Sequence, residues 1–316
     1  MSVNSILAIS PYLEVVVRNV YWRSQFLVRA VNSRRKAKPV DDAKPPPRTS
    51  IDRVVENLAS RGVGSGDILV VHSAYKAVSG GKKPRYVNEA LKALVGDTGT
   101  LVMPAIPRFA GAPSGEQWVT GDVSSLVLDY DPETTPAWTG ALPTDLLQVP
   151  SARRSLHPLN SVVAWGPHAD DMLLNNLSGD RPFACGVGSS WSYCSANGAK
   201  VAALGVDMTH NLTMIHVAED MQGERWCVPG WYRDREFRIK TPRGWERHTV
   251  RERHPRWGSY HYAERTLDKD LVRQGVLTFE DVDDVPVGLL DARVLVEFLN
   301  RRNANGYPYY LVPLRR

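Results

Sequence analysis

From residue 51 onward, short apolar runs alternate with stretches whose apolar positions fall at helical spacing. "SIDRVVENLASRGV" sets Ile51, Val54, Val55 and Leu58 on one helical face, starts after Ser50 as N-cap and stops at Gly62. "DILVVHS", "GTLVMP", "SVVAWG" (161–166) and "AKVAALGV" (199–206) are apolar runs bounded by turn residues, the pattern of buried strands. "YVNEALKALVG" is helical and ends at Gly96, and further helices are expected at 140–148, 168–177 and about 211–222. Apolar strands alternating with helices predict an α/β fold, a layered and largely parallel sheet with flanking helices. Near the end, "LDKDLVRQGVL" and "LLDARVLVEFLNRR" read as two helices, or a helix and a packed end.

Two stretches depart from this alternation. Residues 4–32 are loosely helical, with Leu7, Leu13, Val16, Val20, Phe26 and Val31 among the apolar positions. Such a helix is expected to dock on its own body or on a second subunit, as in a homodimer; peripheral membrane contact through residues 1–32 is the other reading. Residues 33–50 end in "DDAKPPPRTS" and read as a stiff linker. The expected organisation is therefore a basic arm, 1–50, and a body, 51–316. Within the body, 223–265 is basic and carries Trp226, Trp231, Trp245 and Trp257. "REFRIKTPRGWERHTVRER" alternates like a hairpin around Pro242–Gly244. Basic and aromatic residues together can bind single-stranded nucleic acid. Here each Arg has an acid close in sequence, which favours a solvated hairpin with core-facing Trp and no nucleic-acid partner.

Composition narrows the class. The 316 residues are 43 % hydrophobic and 23 % charged, enough for a large core without disulfide or metal staples. Cys185, Cys194 and Cys227 lack CxxC spacing, which fits a reducing, cytoplasmic compartment. No run reaches about 18 apolar residues, so no transmembrane segment is expected. The run Ile6–Val17 is broken by Glu14 and lacks a cleavage site, unlike a secretory signal. The formal charge is +5, yet residues 1–50 carry nine Lys/Arg against three acids, which leaves the other 266 residues at −1. The high pI belongs to the arm, which weakens a nucleic-acid reading of the body.

The chain has no G-x-S-x-G elbow, P-loop or H-E-x-x-H motif. Three polar clusters remain. "VVHSAYKAVSGG" takes a strand out into a small-residue loop whose amides can cradle a phosphate or a pantetheine amide. "RRSLHPLNSVVAWG" sets His157 before an apolar strand, and a His near neutrality can be a general base. "MIHVAED" puts His216 and Glu219 at i, i+3 on one helix face, with no further ligand set for a metal.

Taken in order, "DILVVHSAYKAV", "GTLVMPAI", "YDPETTPAWTGALPTDLLQVPSARRSLHPLNSVVAWGPHA", "RPFACGVGSSW" and "AKVAALGVDMTHNLTMIHVAED" resemble the aminoglycoside 3-N-acetyltransferase family. The similarity runs over about residues 51–222 and continues more weakly to the end. The resemblance implies the family's own antibiotic N-acetyltransferase-like α/β fold, acetyl-CoA as co-substrate, no metal, and transfer of acetyl to an amine. It implies His157 as general base, Glu219 as the carboxylate that supports it, and His216 lining the same site. His72, Ser73, Ala74, Tyr75 and Lys76 stand where the family holds the cofactor, with Ser155 close by, and Asp131 and Trp138 stand on the acceptor side. The family usually has Ser at Ala74, Gly at Ser79, Met at Thr139 and Pro at Ser190. The last two departures bear on the acceptor pocket.

An amine must lose a proton to attack a thioester, and a supported imidazole is suited to accept it. A thiol leaves readily, so direct transfer without an acyl-enzyme is expected, with loop 72–76 amides as oxyanion donors. Residues 1–50 (+6) and 223–265 (+5, eleven Lys/Arg against six acids) leave −6 for the rest, room for an acidic pocket suited to an aminoglycoside. The basic 223–265 segment would instead suit a nucleotide-linked amino sugar. A non-catalytic CoA-binding relative is the third reading, against which the retention of His157, His216 and Glu219 argues.

Overall fold

In the computed structural model, residues 6–24, 48–123, 125–208, 211–304 and 309 are described. The central sheet draws on β1 (Ile68–Ser73), β2 (Thr100–Pro104), β4 (Arg153–Arg154), β5 (Val162–Trp165), β6 (Lys200–Leu204), β9 (Leu277–Val282) and β10 (Val285–Asp291). Its order is β4-β5-β2-β1-β6-β10-β9. A smaller sheet has the order β3-β7-β8, with β3 Leu128–Tyr130, β7 Tyr232–Thr241 and β8 Gly244–Arg253.

Alternation along the central strands sorts side chains to two sides. Ile68, Val70, Val102, Val162, Ala164, Val201 and Ala203 enter one core. Leu69, Val71, Leu101, Met103, Val163, Ala202 and Leu204 enter the other. The second core is covered by α2 (Ile51–Ser60) and α3 (Pro84–Val95), which bury Ile51, Val54, Leu58, Val87, Leu91 and Val95. Ser50 caps α2 by accepting from the amide of Arg53, and Gly96 ends α3 at φ +65°, a conformation that suits glycine. The first core is covered by α5 (Ser190–Ala196), α6 (His216–Asp220), α7 (Glu264–Arg273) and α8 (Ala292–Asn303). The expected helices at 140–148 and 168–177 appear as α4 (Ala141–Leu146) and a single turn at Ala169–Leu173.

The sheet is less parallel than the alternation predicts. Only β2, β1 and β6 run parallel to one another; β5 and β4 on one side and β10 and β9 on the other are antiparallel additions. The two helices expected near the end are present as α7 and α8, and between them residues 277–291, for which no element was expected beyond the ends of those stretches, form a hairpin. Asp283 and Asp284 sit at φ +52° and +64°, as a tight two-residue hairpin turn requires. Asp291 then caps α8, accepting from the amides of Arg293 and Val294 at 2.8 and 3.0 Å.

The hairpin expected around Pro242–Gly244 is present in full, and β3 adds to it in parallel. Trp226, Trp231 and Trp257 are buried in the first core, whereas Trp245 is exposed beneath Arg238. The charges pair across and around the strands: Arg233 with Glu252, Arg251 with Glu224 and Asp234, Arg238 with Asp129.

The arm contributes α1 (Pro11–Arg23). It docks on the body, the first of the readings above. Glu14 is buried and accepts from the amides of Arg265 and Thr266 and the Thr266 hydroxyl at 3.0–3.1 Å, capping the first turn of α7 from another part of the chain. Arg18 bonds Glu264 at 2.6 Å and the carbonyl of Tyr262 at 2.9 Å. Most of the expected linker, residues 33–47 of 33–50, lies outside the described residues, as do residues 25–32 of the loosely helical stretch.

Glu14→Ala would remove the acceptor that the Arg265 and Thr266 amides share. We expect a loss of about 1–3 kcal/mol in urea unfolding. An unchanged midpoint would mean that α1 is not docked in solution.

Candidate active site

β1, β2 and β6 all end on the same edge, at Ser73, Pro104 and Leu204, and the loops that leave them gather there. Three cavities adjoin at this edge. The first, about 600 Å³, is lined by Trp118, Trp138, Leu159, Asn160, His216, Asp220 and the β8 residues Arg251, Glu252 and Arg253. The second, about 260 Å³, is lined by His72, Ser73, Thr139, Gly140, Asn211 and Thr213, and shares Ile106 and Trp138 with the first. The third, about 310 Å³, is lined by Arg18 and Trp22 of α1, Tyr262 and Glu264. It shares His216 and Arg253 with the first and Thr213 with the second.

His216 is therefore common to two cavities and close in sequence to a residue lining the remaining one. It begins α6 directly after a 3₁₀ turn at Thr213–Ile215, and Glu219 follows one turn on. Glu219 is fully buried, with its Oε2 3.2 Å from His216 Nδ1. Arg253 Nη1 lies 3.0 Å from the same Nδ1 and 3.9 Å from Glu219. Burial lowers the His216 pKa and Arg253 lowers it further, while Glu219 raises it. Two groups thus compete for one nitrogen. If Glu219 accepts from Nδ1–H, Nε2 carries the lone pair; if Arg253 donates to Nδ1, the proton moves to Nε2. Beside them Asp220 accepts from the Cys185 amide (3.0 Å) and the Tyr232 hydroxyl (2.9 Å). Burial, then the Glu219 charge, push its pKa up to about 7.

His157 lies outside the lining of these cavities. It is buried, and backbone atoms hold both ring nitrogens: Nδ1 faces the Leu159 amide at 3.2 Å and its carbonyl at 3.0 Å, and Nε2 faces the Pro182 carbonyl at 3.3 Å. A neutral ring that accepts at Nδ1 and donates from Nε2 satisfies this pocket. Burial accordingly lowers its pKa to about 4. The structure thus brings His216 and Glu219 together and sets His157 in a backbone-lined pocket nearby.

The other expected positions divide. His72 and Ser73 line the second cavity, and Trp138 lines the first two. His72 stacks on Trp191, and its buried Nε2 has no hydrogen-bond partner among the described residues. Ala74, Tyr75 and Lys76 line none of the three cavities. The Ala74 amide donates to the Leu204 carbonyl at 2.9 Å, so it is already spent as an oxyanion donor. The Tyr75 hydroxyl donates to the Lys82 carbonyl, and Lys76 is exposed. Ser155 is buried, its hydroxyl accepting from the Val162 amide and its carbonyl from Tyr130. Asp131 pairs with Lys240 at 3.0 Å in a separate cavity. Thr139 lines the second cavity, whereas Ser190 is buried, donating to Asn176. Among the described residues no cluster of His, Cys, Asp or Glu could hold a metal ion.

Sequence reasoning missed Asp220, Arg253 and Glu252. Asp220 was within reach, being the next residue after Glu219. Arg253 and Glu252 become visible only when β8 is paired with β7, which carries its last residues to the cleft.

Residues 70–303 match the aminoglycoside 3-N-acetyltransferase family. An aminoglycoside N(3)-acetyltransferase III from Salmonella is 34 % identical over 206 residues, 60 % of this chain and 68 % of the relative. A second, from Serratia marcescens, is 33 % identical over 184 residues, 54 % of this chain and 64 % of the relative. Among solved structures, the aminoglycoside acetyltransferase AAC(3)-Xa superposes with a TM-score of 0.65 at 26 % identity, over 81 % of this chain and 92 % of that one. AAC-IIIb, solved with CoASH, shares the fold with a TM-score of 0.63 at 22 % identity, over 82 % and 98 % of the two chains. AAC(3)-IVa, solved with a gentamicin, does so at 0.64 and 22 %, over 85 % and 93 %. The fold and the family match define an acetyltransferase. The chain belongs to the aminoglycoside 3-N-acetyltransferase family.

Two buried histidines carry a pH signature. His72 and His157 each have a pKa lowered from 6.5 to about 4, so they fold neutral. The unfolded chain binds more protons between those values, so their stabilising contribution is complete above pH 6.5 and is lost as pH falls towards 4. At pH 4 the loss is on the order of 3 kcal/mol for each. We expect His72→Phe, which keeps a ring against Trp191, to flatten the fall in melting temperature over this window. An unaltered slope would show that His72 is not buried neutral.

Proposed function

We propose that the protein transfers acetyl from acetyl-CoA to an amino group of an aminoglycoside-type amino sugar, with His216 as general base in place of His157. The observation that carries this reading is the buried Glu219–His216 pair facing the junction of the cavities. The acceptor amine lies in the first cavity and gives its proton to His216 Nε2. Glu219 holds Nδ1–H and stabilises the imidazolium that forms. The amine attacks the thioester carbonyl and the thiolate of CoA leaves. The second cavity, with His72 and Ser73 at the end of β1, takes the pantetheine end of the donor. The CoASH bound by AAC-IIIb and the gentamicin bound by AAC(3)-IVa support both substrate classes.

Transfer is direct. Burial holds the Cys185 and Cys194 thiols protonated, with Cys194 pushed up to about 12, so neither suits an acyl-enzyme. Asp220 and Glu252 in the first cavity favour a cationic acceptor, and Trp118 and Trp138 offer faces for sugar rings. Arg251 and Arg253 on the same wall favour the second reading, a nucleotide-linked amino sugar. Labelled acetyl-CoA with a panel of both acceptor classes distinguishes them. Acetylation of sugar nucleotides alone would overturn the aminoglycoside reading.

His216→Ala is expected to lower kcat by roughly 10²–10⁴ with acetyl-CoA binding retained. His157→Ala should instead lower the melting temperature and leave kcat per folded enzyme within about tenfold. The reverse pattern would return the base to His157. For Arg253→Met, loss of the neighbouring positive charge should raise the His216 pKa, so the acid limb of kcat/KM moves to higher pH. A shift to lower pH, or none, would mean that Arg253 does not face the working imidazole.

A further inference from the structure

The docking of α1 leaves an outer face without a partner among the described residues. Glu14 and Val15 point inward and are buried, and Asn19 and Arg18 bond the segment 260–262. On the other side, Ile9, Tyr12, Leu13, Val16, Val17 and Val20 are all 39–69 % exposed. Leu13, Val16, Val17 and Val20 follow i, i+3, i+4, i+7 spacing, a continuous apolar stripe over consecutive turns. The helix cannot roll to bury this stripe, because Glu14 would then abandon the amides of α7. A contiguous apolar face of this kind marks an interaction site.

The occupant is selected by charge. Arg23 closes the helix, and residues 25–48 carry seven Lys/Arg against two Asp in the sequence. An amphipathic helix followed in the sequence by a basic stretch is the pair of signals that stable attachment to an anionic membrane surface requires. Tyr12 adds an aromatic ring suited to the headgroup layer. A second copy of this chain offers no anionic surface to that basic sequence, and it stands as an outcome of the test.

We propose that the outer face of α1 binds an anionic lipid bilayer, the helix lying in the plane of the surface with Ile9, Leu13, Val16, Val17 and Val20 turned into it. No crossing is implied: no described helix is long and apolar enough to span a bilayer. The surface is separate from the acetyl-transfer chemistry, since none of these five side chains lines a cavity shared with His216.

The test is co-sedimentation of the full-length chain with phosphatidylglycerol-rich vesicles and with phosphatidylcholine vesicles, at physiological salt. The wild type is expected to bind the anionic vesicles at least tenfold more tightly than the neutral ones, and less tightly as salt rises. A Val16→Asp, Val20→Asp double variant should lose that binding by tenfold or more while its acetyl transfer in solution stays at the wild-type rate. A Val16→Ser, Val20→Ser pair, which adds no charge, should fall between the two. Absence of wild-type binding to anionic vesicles would overturn the proposal, as would undiminished binding of both double variants, which would trace attachment to the basic stretch alone. Sedimentation equilibrium supplies the remaining outcome: a wild-type dimer that both variants convert to monomer would assign the face to a second copy instead.

Discussion

A carboxylate with no access to water cannot stand alone, and Glu219 is such a group. The cost of leaving a buried charge unpaired is several kcal/mol, so the chain must bring partners to it. His216 comes from the same short helix and Arg253 from the far end of a ten-residue strand. The need to satisfy one buried oxygen pair therefore ties the β7–β8 hairpin to the α/β body. The cleft lies along that join, with the body supplying the imidazole and the hairpin supplying Arg251, Glu252 and Arg253. The geometry also sets up competition for a single nitrogen, so the arginine that helps to neutralise Glu219 also opposes the imidazole's basicity.

Much of the fold was legible because its signals are local. Ser50, Gly96 and the apolar runs at 68–73, 100–104 and 200–204 state their roles within a few residues. The two helices near the end were legible for the same reason, and the hairpin between them was not: residues 277–291 become strands because the edge of β6 takes β10 as its partner. Antiparallel growth at both edges likewise depends on what pairs beyond the central trio, and no periodicity in β1, β2 or β6 announces it.

The site was legible by residue type more than by role. The resemblance singled out His157, His216 and Glu219 as expected site residues, and of these His216 lines the cleft, Glu219 is buried against it and His157 lines none of the cavities. What separates them is their surroundings: the Pro182 carbonyl and the Leu159 backbone saturate one imidazole, whereas a carboxylate and a guanidinium contend for the other. Pro182 is twenty-five residues from His157, and Arg253 thirty-seven from His216. Spacing in the sequence carries no trace of either encounter. Ser155 and Ala74 show the same limit, since their polar atoms close turns and strand ends and do not face the cavities.

The third cavity has a wall from outside the family's matched region. Arg18 and Trp22 belong to α1, and they face the same space as His216 and Arg253. That shared boundary makes the docking of α1 and the filling of the cavity thermodynamically linked. Any molecule that rests against both surfaces tightens the grip of the helix by the factor by which the docked helix tightens its own binding. The arm is then a reporter as well as a wall: protection of its backbone amides from solvent exchange would rise with occupancy at the imidazole.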